Sequence, residues 1–285
     1  MKHFSLFLVK KVFKSRLNVI IVALLAIVIS IAFYMNSRTA QKLSLESQIQ
    51  SSIVENEQMI KENEDTLSKE TDSESEKYQF TKNNLELNQN KLEKRKEILS
   101  LLEQQKWKEA YYLQAKYEEK IFGIISKEAH SSAELKQAVY REWKVYEALY
   151  PLNIKAHLLD FPTYGIDHVV WTLTTIIPTL FLISIIFMLT QLFTDRFKGN
   201  LDTAKLLPFS KVKFAISSFG VGVGYVSIVF LVICAISLFL GLFNQGLGTL
   251  EYPYPIFDVA KQEIVIVKIQ DILFRSLALE FLVFI

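Results

Sequence analysis

The chain has 285 residues, 51% of them hydrophobic and 22% charged, with a formal net charge of only +2. That balance excludes the basic bias of a nucleic-acid binder, and a single cysteine, Cys234, excludes an intrachain disulfide framework and a multi-cysteine metal site. The apolar residues are gathered into long uncharged runs while residues 37–110 are heavily polar, which excludes a single soluble globule.

Residues 1–16 mix Phe4, Leu6, Phe7, Leu8, Val9, Val12 and Phe13 with five Lys/Arg and no acid. They read as a cytoplasmic amphipathic segment lying in the membrane interface, or as the plain basic start of the first span. A bilayer core of ~30 Å takes about 20 helical residues, and the uncharged run from Leu17 to Met35 meets that length, giving a transmembrane helix over 17–36. A cleaved signal peptide fits less well. Its apolar part is usually ~7–15 residues, and the exit Phe33-Tyr34-Met35-Asn36-Ser37-Arg38 has no small-x-small cleavage site.

Residues 37–167 form the expected extracytoplasmic helical domain. Leu45, Ile49, Ile53, Ile60 and Leu67 keep a helical spacing, and Leu85, Leu92 and Leu99 recur every seven residues. Between them, the acidic, Ser-rich stretch from Ser68 to Glu76 predicts an exposed turn of a helical hairpin. The seam is thin, with Asn56, Asn63 and Asn88 close to it. Trp107, Tyr111, Tyr112, Tyr117, Phe122, Tyr140, Trp143, Tyr146 and Tyr150 follow, expected to pack a small helical core, with a substrate-contacting surface as the alternative. Ser131 and Glu134 have capping-box spacing, opening a helix that ends before Pro151. Pro162 and Gly165 mark an irregular return to the membrane, where Tyr164, His168 and Trp171 suit the outer boundary.

The second transmembrane helix is expected over 168–193, with Pro178 near its middle, and the third over 214–243. Residues 194–213 join them as a cytoplasmic coupling loop, and 244–271 form an extracytoplasmic loop. Residues 272–285 read as the start of a fourth span, including Arg275 and Glu280. Fourteen residues cover only about 21 Å of helix, so the chain reads as C-terminally truncated. The expected fold class is therefore all-α and polytopic: three complete transmembrane helices, a partial fourth, and a helical-hairpin insert between the first two. Basic residues dominate 1–16 and 194–213, and acids dominate 244–271, which places the N-terminus in the cytoplasm of a multi-pass cell-membrane protein.

Catalytic signatures are absent. His3, His130, His157 and His168 form no His-Glu-x-x-His, and there is no P-loop and no Gly-x-Ser-x-Gly elbow. Gly220, Gly222 and Gly224 lie inside a span, where close helix packing or local flexibility explains them better than nucleotide binding. The three complete spans carry no charged residue, which argues against an ion-coupled path. No catalytic, cofactor-binding or metal-binding residue is assigned, and the chain is not expected to be an enzyme.

The informative segment is Thr194-Asp195-Arg196-Phe197-Lys198-Gly199-Asn200, followed by Leu201 to Lys213. A turn is expected at Gly199-Asn200, then an amphipathic stretch with Leu201, Ala204, Leu206 and Leu207, broken by Pro208. A short helix of this kind suits docking into a groove on a cytoplasmic partner; the plain alternative is a solvated loop. The pattern Asp195-Arg196, Gly199, Leu206-Leu207-Pro208 and Ser210-Lys211 resembles the cytoplasmic loop of type 2 ABC exporter permeases. It departs from them in having Asp195 where Glu is usual, and Asn200-Leu201 in place of a Thr-rich turn. The layout is similar too, in the form with a helical extracytoplasmic insert found in Gram-positive bacteria. Such permeases normally have six spans.

The resemblance implies a cytoplasmic P-loop ATPase as partner, which uses the ATP while this chain binds no cofactor directly. It also implies a permease homodimer or heterodimer embedded in membrane lipid, exporting a peptide, lipid-like or antimicrobial compound. Asp195, Arg196, Lys198, Gly199, Leu206, Leu207, Pro208 and Lys211 would couple to the ATPase. Two further classes remain: a mechanotransmission permease acting through the hairpin on an envelope partner, and a membrane sensor or scaffold that needs no ATPase.

Overall fold

The computed structural model describes residues 2–69, 75–128, 131–194, 197–198, 201–202, 210–261 and 263–284. It is mostly helical. In chain order the elements are α1 (Lys2–Phe13), α2 (Arg16–Lys42), α3 (Leu45–Lys69), α4 (Glu76–Glu103), α5 (Trp107–Ile125), α6 (Ala133–Leu149) and α7 (Gly165–Trp171). A π-helical stretch (Thr172–Phe181) then leads into α8 (Leu182–Thr194), β1 (Phe197–Lys198), β2 (Leu201–Asp202), α9 (Lys211–Asn244), β3 (Pro253–Asp258), β4 (Glu263–Lys268) and α10 (Ile269–Phe284). Among the described residues, three helical segments are long and apolar enough to cross a membrane: α2, the run from α7 through α8, and α9. They mark a membrane-embedded protein.

The structure divides into two compact units. The first is Met1–Ser37, Phe161–Glu251 and Ile269–Ile285; the second is Arg38–Asp160 and Tyr252–Lys268.

In the first unit, the apolar core draws Leu8 and Val12 from α1, Leu25 and Ile29 from α2, Ile177, Phe181 and Met188 from the second apolar run, and Tyr225 and Ile233 from α9. Most other large apolar side chains of these helices point outward, Ile20, Leu24, Phe187, Phe219 and Leu231 among them. That inside-out exposure is what a lipid solvent permits and water does not. The chain breaks between α1 and α2 because local polar groups cap both ends. Ser15 Oγ accepts from the Asn18 amide at 3.4 Å, while Asn18 Nδ2 donates to the Val12 carbonyl at 3.1 Å.

The second span is not a uniform α-helix. Pro178 lies within ten π-helical residues. Proline has no N–H and its ring crowds the carbonyl four residues back, a conflict the wider π winding relieves. Threonine hydroxyls serve carbonyls in the same stretch: Thr174 Oγ1 donates to the Val170 carbonyl at 3.0 Å and Thr179 Oγ1 to that of Thr175 at 2.8 Å.

In the second unit, α3 and α4 pack along each other. Ile49 and Ile53 of α3 and Ile98 and Leu102 of α4 are buried, together with Asn56, Thr81 and Asn88. The polar members thin the apolar seam, as their spacing predicts. Lys96 Nζ reaches Glu57 Oε1 at 2.7 Å, but both side chains are about half exposed, so this pair contributes at most about 1 kcal/mol.

Aromatic rings join α5 to α6. Phe122 lies 5.2 Å from Tyr140 and 5.7 Å from Trp143 between ring centroids, and Tyr111 lies 5.9 Å from Tyr146. α6 opens one residue later than the capping-box spacing predicts. Ser132 is the N-cap, accepting from the Leu135 amide at 3.2 Å, while Ser131 Oγ donates to Glu128 at 3.0 Å.

The 244–271 segment differs more. Tyr252–Lys268 belongs to the second unit, where β3 and β4 pair antiparallel, with Tyr254 opposite Val267 and Ile256 opposite Val265. The β-branched run Ile264-Val265-Ile266-Val267 favours this strand over the irregular loop expected from its charges.

Candidate functional site

Of the residues expected to couple to an ATPase, Asp195, Arg196, Gly199, Leu206, Leu207 and Pro208 lie outside the described residues. The expected turn at Gly199-Asn200 lies outside them as well, and so does the amphipathic stretch from Leu201 to Leu207 except for its start, where Leu201 and Asp202 form β2. Lys198 is in β1, opposite Leu201 of β2, and Phe197 is opposite Asp202. Lys211 is the first residue of α9. Ser210 caps that helix, its Oγ accepting from the Lys213 amide at 3.3 Å. The segment is therefore bounded by a two-stranded ribbon on one side and a capped helix start on the other.

Both flanking helices meet α1, which packs against α8 and α9. Phe4 stacks obliquely on Phe214, 5.4 Å between centroids, just inside the start of α9. Phe13 meets Tyr225 edge-on at 5.1 Å. The helices on either side of the 194–213 connection therefore both pack on α1.

The same unit holds a polar cluster around His168, a residue expected at the outer boundary. His168 and Thr172 on the second span, and Ser237 on α9, are fully buried. Thr172 Oγ1 and Ser237 Oγ lie 2.9 Å apart. His168 Nδ1 lies 3.3 Å from the Ser237 carbonyl, which can only accept, so this nitrogen carries a proton. Phe33 meets the imidazole edge-on at 4.9 Å, and Trp171 stacks at 5.6 Å. The Thr172 and Ser237 hydroxyls bond each other, and the imidazole bonds the Ser237 backbone carbonyl. The cluster acts as a polar tie between two apolar helices. The four-residue step from His168 to Thr172 was its only sequence signal.

The second unit has a cleft of about 170 Å³ lined by α6, by the extended segment 156–160, by Gln48 and by Tyr252 and Pro255. Tyrosine hydroxyls fix the extended segment. Tyr111 Oη accepts from the Ala156 amide at 2.6 Å, and Tyr252 Oη both accepts from the His157 amide and donates to the His157 carbonyl, each at 2.9 Å. At the mouth, Arg141 Nη2 spans both Asp160 carboxylate oxygens at 3.0 and 3.1 Å. These tyrosine hydroxyls hold the backbone of the cleft wall, and the Arg141–Asp160 pair lies beside it.

No protein-family model matches the chain, and neither does any curated protein or solved structure.

Proposed function

We propose that the chain is the membrane-spanning permease subunit of an ATP-driven exporter of the type 2 ABC class, with ATP hydrolysed by a separate cytoplasmic P-loop ATPase. The observation carrying most weight is the junction of α1, α8 and α9 around the 194–213 connection. A short connection between two helices that both pack on α1 is a suitable handle for a partner that closes on ATP. In this account Arg196, Lys198 and Lys211 face acidic groups on the ATPase, and Leu206 and Leu207 fill its groove. The N-terminus and the 194–213 loop are cytoplasmic. Residues 37–167 form an external helical-hairpin insert, and α10 opens a fourth span. The subunit works as a homodimer or heterodimer, and its cargo is a peptide, lipid-like or antimicrobial compound.

Arg196→Glu combined with Lys198→Glu tests this reading. In membranes reconstituted with the partner, the pair should reduce ATP-driven flux and ATPase association together. Unchanged association would overturn the assignment of the loop.

One observation favours a second reading. α3 and α4 have 25 and 28 residues, about 38 and 42 Å of helix, long enough to carry motion far from the bilayer. A mechanotransmission permease would use that length on an envelope partner with nothing crossing the membrane. ATP-dependent movement of α3 and α4 without flux of any cargo would select it.

A further inference from the structure

Glu118 is a carboxylate in the middle of α5 with only 5% of its surface exposed. Gln114, one turn earlier and 3% exposed, donates from Nε2 to Glu118 Oε1 at 2.7 Å. The Gln114 carbonyl oxygen in turn accepts from Arg95 Nη1 of α4 at 3.0 Å. The chain Arg95–Gln114–Glu118 thus relays a cation toward a buried acid without letting the two pair directly. Arg95 stands over the Tyr117 ring, 4.0 Å from its centroid, and its buried Nε has no hydrogen-bond partner. A donor is held in reserve near a carboxyl group that has no direct counter-ion among the described residues.

We propose that Glu118 is a proton switch whose ionisation changes how α5 seats between α4 and α6. The charged groups on each side give the two states. From α4, Arg95 attracts the ionised form. From α6, Glu142 repels it, and Arg141 acts on Glu142 in the opposite sense. Tyr146, also on α6, is held well above the ordinary tyrosine range by burial and then by Glu142, with Tyr252, just before β3, adding to it, so it stays neutral throughout. Burial, and after it Glu142, push the Glu118 carboxyl up to about 7, against the opposing pull of Arg95 and the Gln114 hydrogen bond.

Protonated, Glu118 sits in the observed chain and Arg95 rests on Tyr117. Ionised, it draws the reserve donor of Arg95 off the ring and pushes Glu142 away, tightening α4 on α5 while loosening α6. The device depends only on these three helices and stands whichever function the chain performs.

The test uses the full chain in detergent with Cys234→Ala, and spin labels on Glu93→Cys of α4 and Glu147→Cys of α6, both exposed positions. Pulsed EPR distances are measured from pH 5 to pH 9. The expected result is two distance populations exchanging with a midpoint near 7. Glu118→Gln should hold the low-pH population at every pH. Glu142→Gln, which keeps the switch but removes the repulsion, should move the midpoint down. Distances constant across the range, or a midpoint indifferent to Glu142→Gln, would overturn the proposal.

Discussion

Gly241 of α9 lies directly against Gly165, the first residue of α7. A β-carbon added at Gly241 would stand 2.5 Å from Gly165 Cα, and one added at Gly165 would stand 2.9 Å from the Leu238 carbonyl oxygen. The crossing is locked by backbone as well. The Gly165 and Ile166 amides, which open α7 and have no partner within it, donate to the carbonyls of Gly246 and Leu247 at 3.0 and 2.9 Å. Gly246 supports that loop with a φ of +103°, and its amide turns back to the Gly241 carbonyl at 3.1 Å, closing the end of α9.

Gly241→Ala is therefore expected to force the two helices apart, lowering stability by about 1–3 kcal/mol. Gly220→Ala and Gly224→Ala meet nothing within 4 Å and should change stability by no more than about 0.5 kcal/mol. Thermal unfolding of the three variants in one detergent separates these outcomes. Equal losses for all three would remove the special role given to the Gly165–Gly241 crossing.

Glu118 gives a pH dependence with a definite sign. Its carboxyl is raised from 4.5 to about 7 in the folded state, so the folded chain holds the proton more tightly than the unfolded one. The associated stability is fully present below pH 4.5 and is lost as pH rises through 7, a change of about 3 kcal/mol. Glu118→Gln should abolish this component and make the protein more stable than the unsubstituted chain at pH 8. Denaturant unfolding of the second unit, followed at pH 5 and pH 8, measures both.

Tyr252→Phe removes one hydroxyl and orphans two backbone groups of His157 at once. The ring still stacks on the imidazole, 3.7 Å between centroids. A loss of about 1–3 kcal/mol is expected, with faster amide exchange at His157 and its neighbours. Tyr111→Phe should loosen the hold on Ala156, to a smaller extent. Unaltered exchange in Tyr252→Phe would show that the hydroxyl does not anchor the extended segment.

The apolar spans were legible in the sequence because a bilayer demands about 20 uncharged residues in a row, a signal that survives any detail of packing. Pro178 was legible near the middle of the second span, but not the ten-residue π winding that accommodates it. β3 and β4 escaped notice because the 244–271 segment was weighed by charge, although Ile264-Val265-Ile266-Val267 carried the β-branched signal. Glu118 was hidden among exposed neighbours, yet Tyr111, Ala115, Glu118 and Phe122 step along one helical face. An acid on an aromatic stripe was the available clue. The glycines show the opposite case: Gly220, Gly222 and Gly224 attract attention by spacing, while the close crossing falls on Gly241, which nothing in its neighbourhood distinguishes.

The central claim is that a P-loop ATPase binds the 194–213 connection. The most direct measurement is mild-detergent purification of the tagged chain from its own membranes, followed by mass spectrometry of the proteins retained. The account predicts a P-loop ATPase in stoichiometric amount, lost when Arg196 and Lys198 are both changed to glutamate. An intact, folded chain retaining no ATPase, or one retaining it undiminished after the charge reversal, would contradict the account.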